Sequence, residues 1–99
     1  MTINSKKDGK ALTLALEGRL DTITSPELEA ALKGALDGIE SLTFDFSALD
    51  YISSAGLRLL VSLQKKAKSD GRTMVIKNTN AVVNEVFRVS GFNKTFTVL

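Results

Sequence analysis

Along residues 11–17 the chain alternates, with Leu12, Leu14 and Leu16 set among Thr13, Ala15 and Glu17. A period of two puts the leucines on one face of a strand. The preceding residues 2–7 (TINSKK) are weakly apolar and predict an edge strand. Asp8-Gly9 between the two runs predicts a tight hairpin turn, because both residues tolerate positive φ. Gly18 is expected to end the second strand. The spacing then turns helical: Leu28, Ala31, Leu32, Ala35 and Leu36 recur every three or four residues within SPELEAALKGALDG. Ser25 is the expected N-cap of this helix, Pro26 its first residue and Gly38 its C-cap.

Leu42, Phe44 and Phe46 alternate with Thr43 and Asp45 and predict another strand, followed by a loop that leads into Ser53-Ser54. From Ser54 to Ser69 the period is helical again. Leu57, Leu60, Val61 and Ala67, helped by Leu63, make one stripe, while Arg58, Lys65, Lys66 and Lys68 fall mostly outside it. The lysines crowd the last turn, where cations suit the helix dipole. Asp70-Gly71 stops the helix, and TMVIK at 73–77 is a short strand. Asn80 is placed to cap a helix over 81–89, with Val82, Val86 and Val89 on one side and Phe87 near them. Ser90-Gly91-Phe92 ends it, and residues 96–98 predict a last strand.

The order β-β-α-β-α-β-α-β implies crossover connections. It predicts a single small α/β domain over residues 1–99, with a mixed, mostly parallel sheet, an N-terminal β-hairpin and alternating helices. In such sheets, ligand and partner sites gather at the carboxyl ends of the strands, which is where Ser53-Ser54 falls.

Composition narrows the chemistry. With 43% hydrophobic residues the chain can bury a core, and with five Phe, one Tyr and no Trp that core is largely aliphatic. The charges nearly balance, 13 basic against 11 acidic for a net +2, which argues against direct nucleic-acid binding. The absence of cysteine removes disulfides and thiolate metal sites. MTINSKKDGK lacks the apolar run of a signal peptide, and no segment is long and apolar enough to span a membrane. The expectation is a cytoplasmic protein with no membrane association.

A serine nucleophile needs a base, usually histidine, and the chain has none. The Gly-x-Ser-x-Gly elbow is absent, as are the Gly-rich phosphate loops. Asp21, Asp45 and Asp50 could come together around magnesium, although carboxylates before a loop more often cap helices. The basic run KKAKSDGR is best explained as a solvated helix end. The sequence therefore predicts no enzyme, no cofactor and no metal. The two serines stand apart. One suffices to cap the helix that starts there, and Ala55-Gly56 leaves the other sterically open. A hydroxyl at a helix N-terminus is a position where a phosphate is tolerated.

DYISSAGLRLL at 50–60 resembles the signature stretch of the STAS domains, the family of bacterial anti-sigma factor antagonists (anti-anti-sigma factors). Their site usually has Asp-Ser-Ser/Thr-Gly-Leu after a strand and opening a helix. EGRLD at 17–21 resembles the family's Gly-x-Leu-Asp, FDFSALDYI at 44–52 its Asp-Leu-Ser strand and turn, and VSGF at 89–92 its Ser/Thr-Gly-Leu/Phe. The resemblance covers about the whole chain. It implies that Ser54, two positions before Gly56-Leu57, is the phosphoacceptor, and that Asp21 is the aspartate near it. Ser53 replaces the usual aspartate, and Ala55 replaces Ser or Thr. The partner-binding residues implied are Asp21, Ser53, Ser54, Ala55, Gly56 and Arg58. The resemblance further implies a switch: the unphosphorylated domain binds an anti-sigma factor serine kinase, phosphorylation of Ser54 by that kinase weakens the complex, and a PP2C-type phosphatase resets it. The alternatives are a STAS scaffold that is not phosphorylated, or a nucleotide-binding regulatory domain using the Asp21–Ser54 end of the sheet.

Overall fold

A computed structural model describes residues 1–99. The strands are β1 (Thr2–Asp8), β2 (Ala11–Leu20), β3 (Ser41–Ile52), β4 (Thr73–Lys77) and β5 (Thr97–Val98). The helices are α1 (Ser25–Leu32), α2 (Ser54–Ser69) and α3 (Ala81–Ser90), with a short 3-10 turn at Phe92–Lys94. The sheet order is β1-β2-β3-β4-β5, antiparallel between β1 and β2 and parallel elsewhere, as the element order requires. Because successive parallel strands lie side by side, right-handed crossovers put the connecting helices on one face. The alternating leucines, phenylalanines and Met74-Ile76 of β2, β3 and β4 are buried on that face, and Thr13, Thr43 and Val75 on the other are only half-buried.

Several boundaries differ from the sequence reading, each for a local reason. Asp8 pairs with Ala11, so the hairpin turns on Gly9-Lys10 rather than on Asp8-Gly9. Gly9, with φ +60°, holds the first central position, as a type II′ turn demands. β2 does not stop at Gly18 but runs through it, at φ +102°, to Leu20.

β3 continues past Phe46 to Ile52, where a loop was expected. Its pairing with β2 steps from Ala15↔Asp45 to Glu17↔Ala48, and from Gly18↔Leu49 to Arg19↔Tyr51. Each step leaves one extra residue on β3. Two bulges change the buried spacing from two to three, at Phe46, Leu49 and Ile52, which hides the strand from a period-two reading.

Helix α1 starts after Thr24, so Ser25 is its first residue and not its cap; the Ser25 hydroxyl is buried without a hydrogen-bond partner. It ends at Leu32, well before Gly38, because Gly34 turns left-handed at φ +79°. Leu36 and Ile39 are nevertheless buried, in a non-helical segment. Arg72 holds that segment: its Nε and Nη2 donate to the carbonyls of Ile39 and Leu36, each at 2.9 Å, and its Nη1 pairs with Asp70 at 2.8 Å. Replacing Arg72 by Met leaves two carbonyls unpaired and is expected to cost about 2 kcal/mol, read as a lower urea midpoint. An unchanged midpoint would show that water replaces the guanidinium freely.

In α3 the buried residues are Val83 and Phe87, with the Phe87 ring tilted against that of Phe96, centroids 5.2 Å apart. The valine side read from the sequence is the outer one. Val82 and Val89 are exposed, and Val86 is half-buried. Asn80 caps the helix as expected, its side chain accepting from the Val83 N–H at 2.8 Å, and Gly91 closes it at φ +79°.

Candidate functional site

The ends of β2 and β3 meet the start of α2. Leu20 is the last residue of β2, and its carbonyl accepts the Ser53 N–H at 2.9 Å. Ser53 then caps α2: its backbone is extended (φ −90°, ψ 174°) and its hydroxyl oxygen accepts from the Gly56 N–H at 3.3 Å. The cap position is thereby filled. Ser54, the first helical residue, is exposed and its hydroxyl is engaged with no other group. The two adjacent serines have separate tasks, one structural and one open.

Gly56 makes this junction possible. A Cβ on it would lie 2.7 Å from the Leu20 carbonyl oxygen and 2.9 Å from both Ile52 Cγ1 and Leu20 Cγ. The first turn of α2 thus packs directly on the ends of two strands. Gly56 is buried, unlike the other five residues implied as partner-binding, so its part is to position Ser54 rather than to present a side chain. Ser53 and Ala55 are half-buried, and Arg58 is exposed one turn beyond Ser54.

Asp21 follows Leu20 directly and therefore lies beside this junction. Its Oδ1 accepts the N–H groups of Ile23 and Thr24, both at 3.0 Å, and Arg19 Nε lies 3.7 Å from its Oδ2. The Thr24 hydroxyl donates to the Arg19 carbonyl at 2.7 Å and accepts from the Asp21 N–H at 2.8 Å. Asp21 thus builds the turn into α1 that was expected of Ser25. The Thr24 N–H above all, then the Ile23 N–H, the Thr24 hydroxyl and Arg19, outweigh the opposing effect of burial and hold its carboxyl below the ordinary 3.8. The unfolded chain therefore takes up this proton first. Asp21's contribution is complete above its unfolded pKa and is lost as pH falls through the folded one. Asp21→Asn is expected to flatten the acid limb of a stability–pH curve below about pH 4, measured by urea melts. Superimposable limbs for the two proteins would show that the turn does not depend on the charge.

Asp45 does not join this group. Its Oδ1 accepts from the Ser47 N–H at 3.0 Å and from Asn78 Nδ2 at 3.1 Å. Asp21, Asp45 and Asp50 form no acidic cluster, so the magnesium reading loses its donor set.

Two features beside Ser54 were not read from the sequence. Arg19 lies over the Tyr51 ring, 4.7 Å from its centroid, on paired strand ends. A groove of about 370 Å³, lined by Tyr51, Ile52, Leu57, Val86 and Val89 among others, opens directly at Ser54. Its far wall is the outer valine face of α3. A larger groove of about 490 Å³ between α1 and α2 touches none of the site residues.

The family model described as Mlab, STAS domain matches residues 3–99. The chain belongs to the STAS-domain family. A curated relative, the putative anti-sigma factor antagonist BtrV of Bordetella bronchiseptica, is 33% identical over 99% of this chain and 85% of its own length. Among solved structures, an anti-sigma factor antagonist from Mycobacterium paratuberculosis aligns over 98% of this chain and 83% of its own, with a TM-score of 0.87 at 22% identity. The Bacillus cell fate determinant SpoIIAA in its phosphorylated form aligns over 99% and 91%, with a TM-score of 0.76 at 16% identity. At these identities the two structures speak to the fold. Within the STAS domain, the bulged end of β3 and the tight Gly56 contact are what bring Ser54 to the surface.

Proposed function

We propose that this STAS domain is an anti-sigma factor antagonist, a binding switch rather than a catalyst, controlled at Ser54. The observation that carries the reading is the division of labour at the α2 start: Ser53 fills the cap, and Ser54 presents a free, exposed hydroxyl. The name of the Bordetella relative supports it, and the fold is one that has been solved in a phosphorylated form, in SpoIIAA of Bacillus. The unmodified surface formed by Asp21, Ser53, Ser54, Ala55 and Arg58 receives an anti-sigma factor that is itself a serine kinase, and so frees a sigma factor. In the kinase's active site the Ser54 oxygen attacks the γ-phosphorus of ATP. Its proton passes to a base on the kinase, the bond to the β-phosphate oxygen breaks, and ADP leaves with magnesium. A PP2C-type phosphatase returns the hydroxyl by hydrolysis, releasing inorganic phosphate.

Ser54 suits this chemistry physically. It is on the first turn of a helix, where the N-terminal end of the dipole accommodates the roughly two negative charges of a phosphate. The test is incubation of the protein with the anti-sigma kinase of the same genome, ATP and magnesium, followed by mapping of the phosphate by mass spectrometry. The label is expected on Ser54 and lost in Ser54→Ala. Label on neither Ser54 nor Ser53 would overturn the switch and leave the scaffold reading.

A further inference from the structure

A phosphate on Ser54 requires a counter-ion, and the cations around it differ sharply in availability. Arg19 is occupied by the Tyr51 ring and Asp21. Arg88, on α3, is paired with Glu85, the one carboxylate that lines the groove beside Ser54. Lys65 is eleven residues along α2 from Ser54, about 16 Å at the helical rise. Arg58 is different. It is exposed, engaged in no ion pair or side-chain hydrogen bond, and lies four residues after Ser54, so its side chain leaves the helix beside that of Ser54. An anion placed four residues before a cation is also the favoured order along a helix. The guanidinium's planar fork can give two parallel N–H donors to a phosphate.

We infer that Arg58 is the internal counter-ion of phosphorylated Ser54. The inference rests on the proposed function for its relevance, but concerns what this chain does with the phosphate once it is there. Unmodified, Arg58 lines a cleft of about 290 Å³ with Val61, Lys65 and Phe92, which shares no residue with the groove at Ser54. With Ser54 phosphorylated, the guanidinium turns back one helical turn onto the phosphate and leaves that cleft. One modification then changes the surface twice: it adds an anion at Ser54 and withdraws a free cation from the neighbouring cleft. The helix is spared, because the pair lies along it.

The experiment uses full-length protein with phosphoserine installed at position 54 during translation, so that no kinase is involved. Phosphorus NMR then follows the second ionisation of the phosphate, ordinarily near pH 6. Arg58→Gln is expected to raise that pKa by about half a unit relative to the parent, whereas Lys65→Gln leaves it in place. Both side chains are exposed, so neither change threatens the fold. Equal values in the parent and Arg58→Gln, or an equal rise in Lys65→Gln, would overturn the inference and assign the phosphate's environment to the helix end alone. Failure of the kinase to label Ser54 would sink the proposed switch without altering this result.

Discussion

Gly56→Ala is expected to destabilise the protein by about 2 kcal/mol, although alanine is the better helix former. Elsewhere in a helix the same change stabilises by up to about 1 kcal/mol. Here the added methyl would sit 2.7 Å from a backbone oxygen, inside any tolerable contact. That oxygen cannot swing away, because it belongs to Leu20 at the end of a paired strand and already accepts the Ser53 N–H at 2.9 Å. The other neighbours, Ile52 and the Leu20 side chain, are fully buried and have nowhere to go. The start of α2 must therefore lift off the strand ends, which strains the Ser53 cap and moves Ser54. The measurement is a urea melt with an unchanged slope and a lower midpoint, or a melting temperature lower by roughly 10 °C for a domain of this size. A variant as stable as the parent would show that the junction is looser than its geometry implies, and that Gly56 serves partner contact instead.

The sheet and helix order was legible because most elements obey one period. Leu12, Leu14 and Leu16 mark β2, and Leu57 and Leu60 mark the inner face of α2, all of them buried as the pattern predicts. The failures cluster where two periods or two faces compete. The end of β3 buries every third residue because its bulges add residues that pairing with β2 does not match. α1 keeps helical spacing through Leu36 although Gly34 has already broken it, and the later residues are buried by the Arg72 contacts instead. α3 carries valine on both faces, so spacing alone could not decide that Val83 rather than Val82 and Val89 turns inward. That choice is made by Phe96, which follows the helix and packs on Phe87, and by the bulged strand β3, which is distant in sequence.

At the candidate site, the residue types were readable but their division of work was not. The sequence shows two serines and one cap to fill; only the backbone at Ser53 (ψ 174°) and its bond to the Gly56 N–H assign the cap to Ser53. Asp21 was readable only as a residue near Ser54. Its hold on the Ile23 and Thr24 N–H groups, which replaces the cap expected from Ser25, depends on a turn that no local signal distinguishes from a Ser-Pro helix start. The groove beside Ser54 was invisible, since it is made by a valine face that the sequence reading treated as the helix's apolar stripe.

A phosphate on Ser54 is expected to weaken the complex with the anti-sigma factor about a thousandfold, which corresponds to ~4 kcal/mol. Ser54→Ala should bind within about 0.5 kcal/mol of the parent, because an exposed hydroxyl without a partner contributes little. The magnitude follows from where the charge would be placed. Ser54 opens onto a groove walled by Tyr51, Leu57, Val86 and Val89, and a partner that fills such a groove must strip water from the phosphate. An ion buried without matching donors costs several kcal/mol, which is enough for the whole effect. Unfolding is not needed, and the helix argues against it: a phosphate at the first turn of α2 meets the favourable end of the dipole, so the phosphorylated protein should melt no lower than the unmodified one. Salt separates the remaining explanations. Repulsion between exposed charges is screened at high ionic strength, whereas the cost of dehydrating a phosphate at a closed interface persists. Calorimetric titration of both forms into the anti-sigma factor at low and high salt should therefore show most of the thousandfold difference surviving. A difference that vanishes in salt would place the phosphate at the rim of the interface, and one that coincides with a lower melting temperature would make the switch a conformational one.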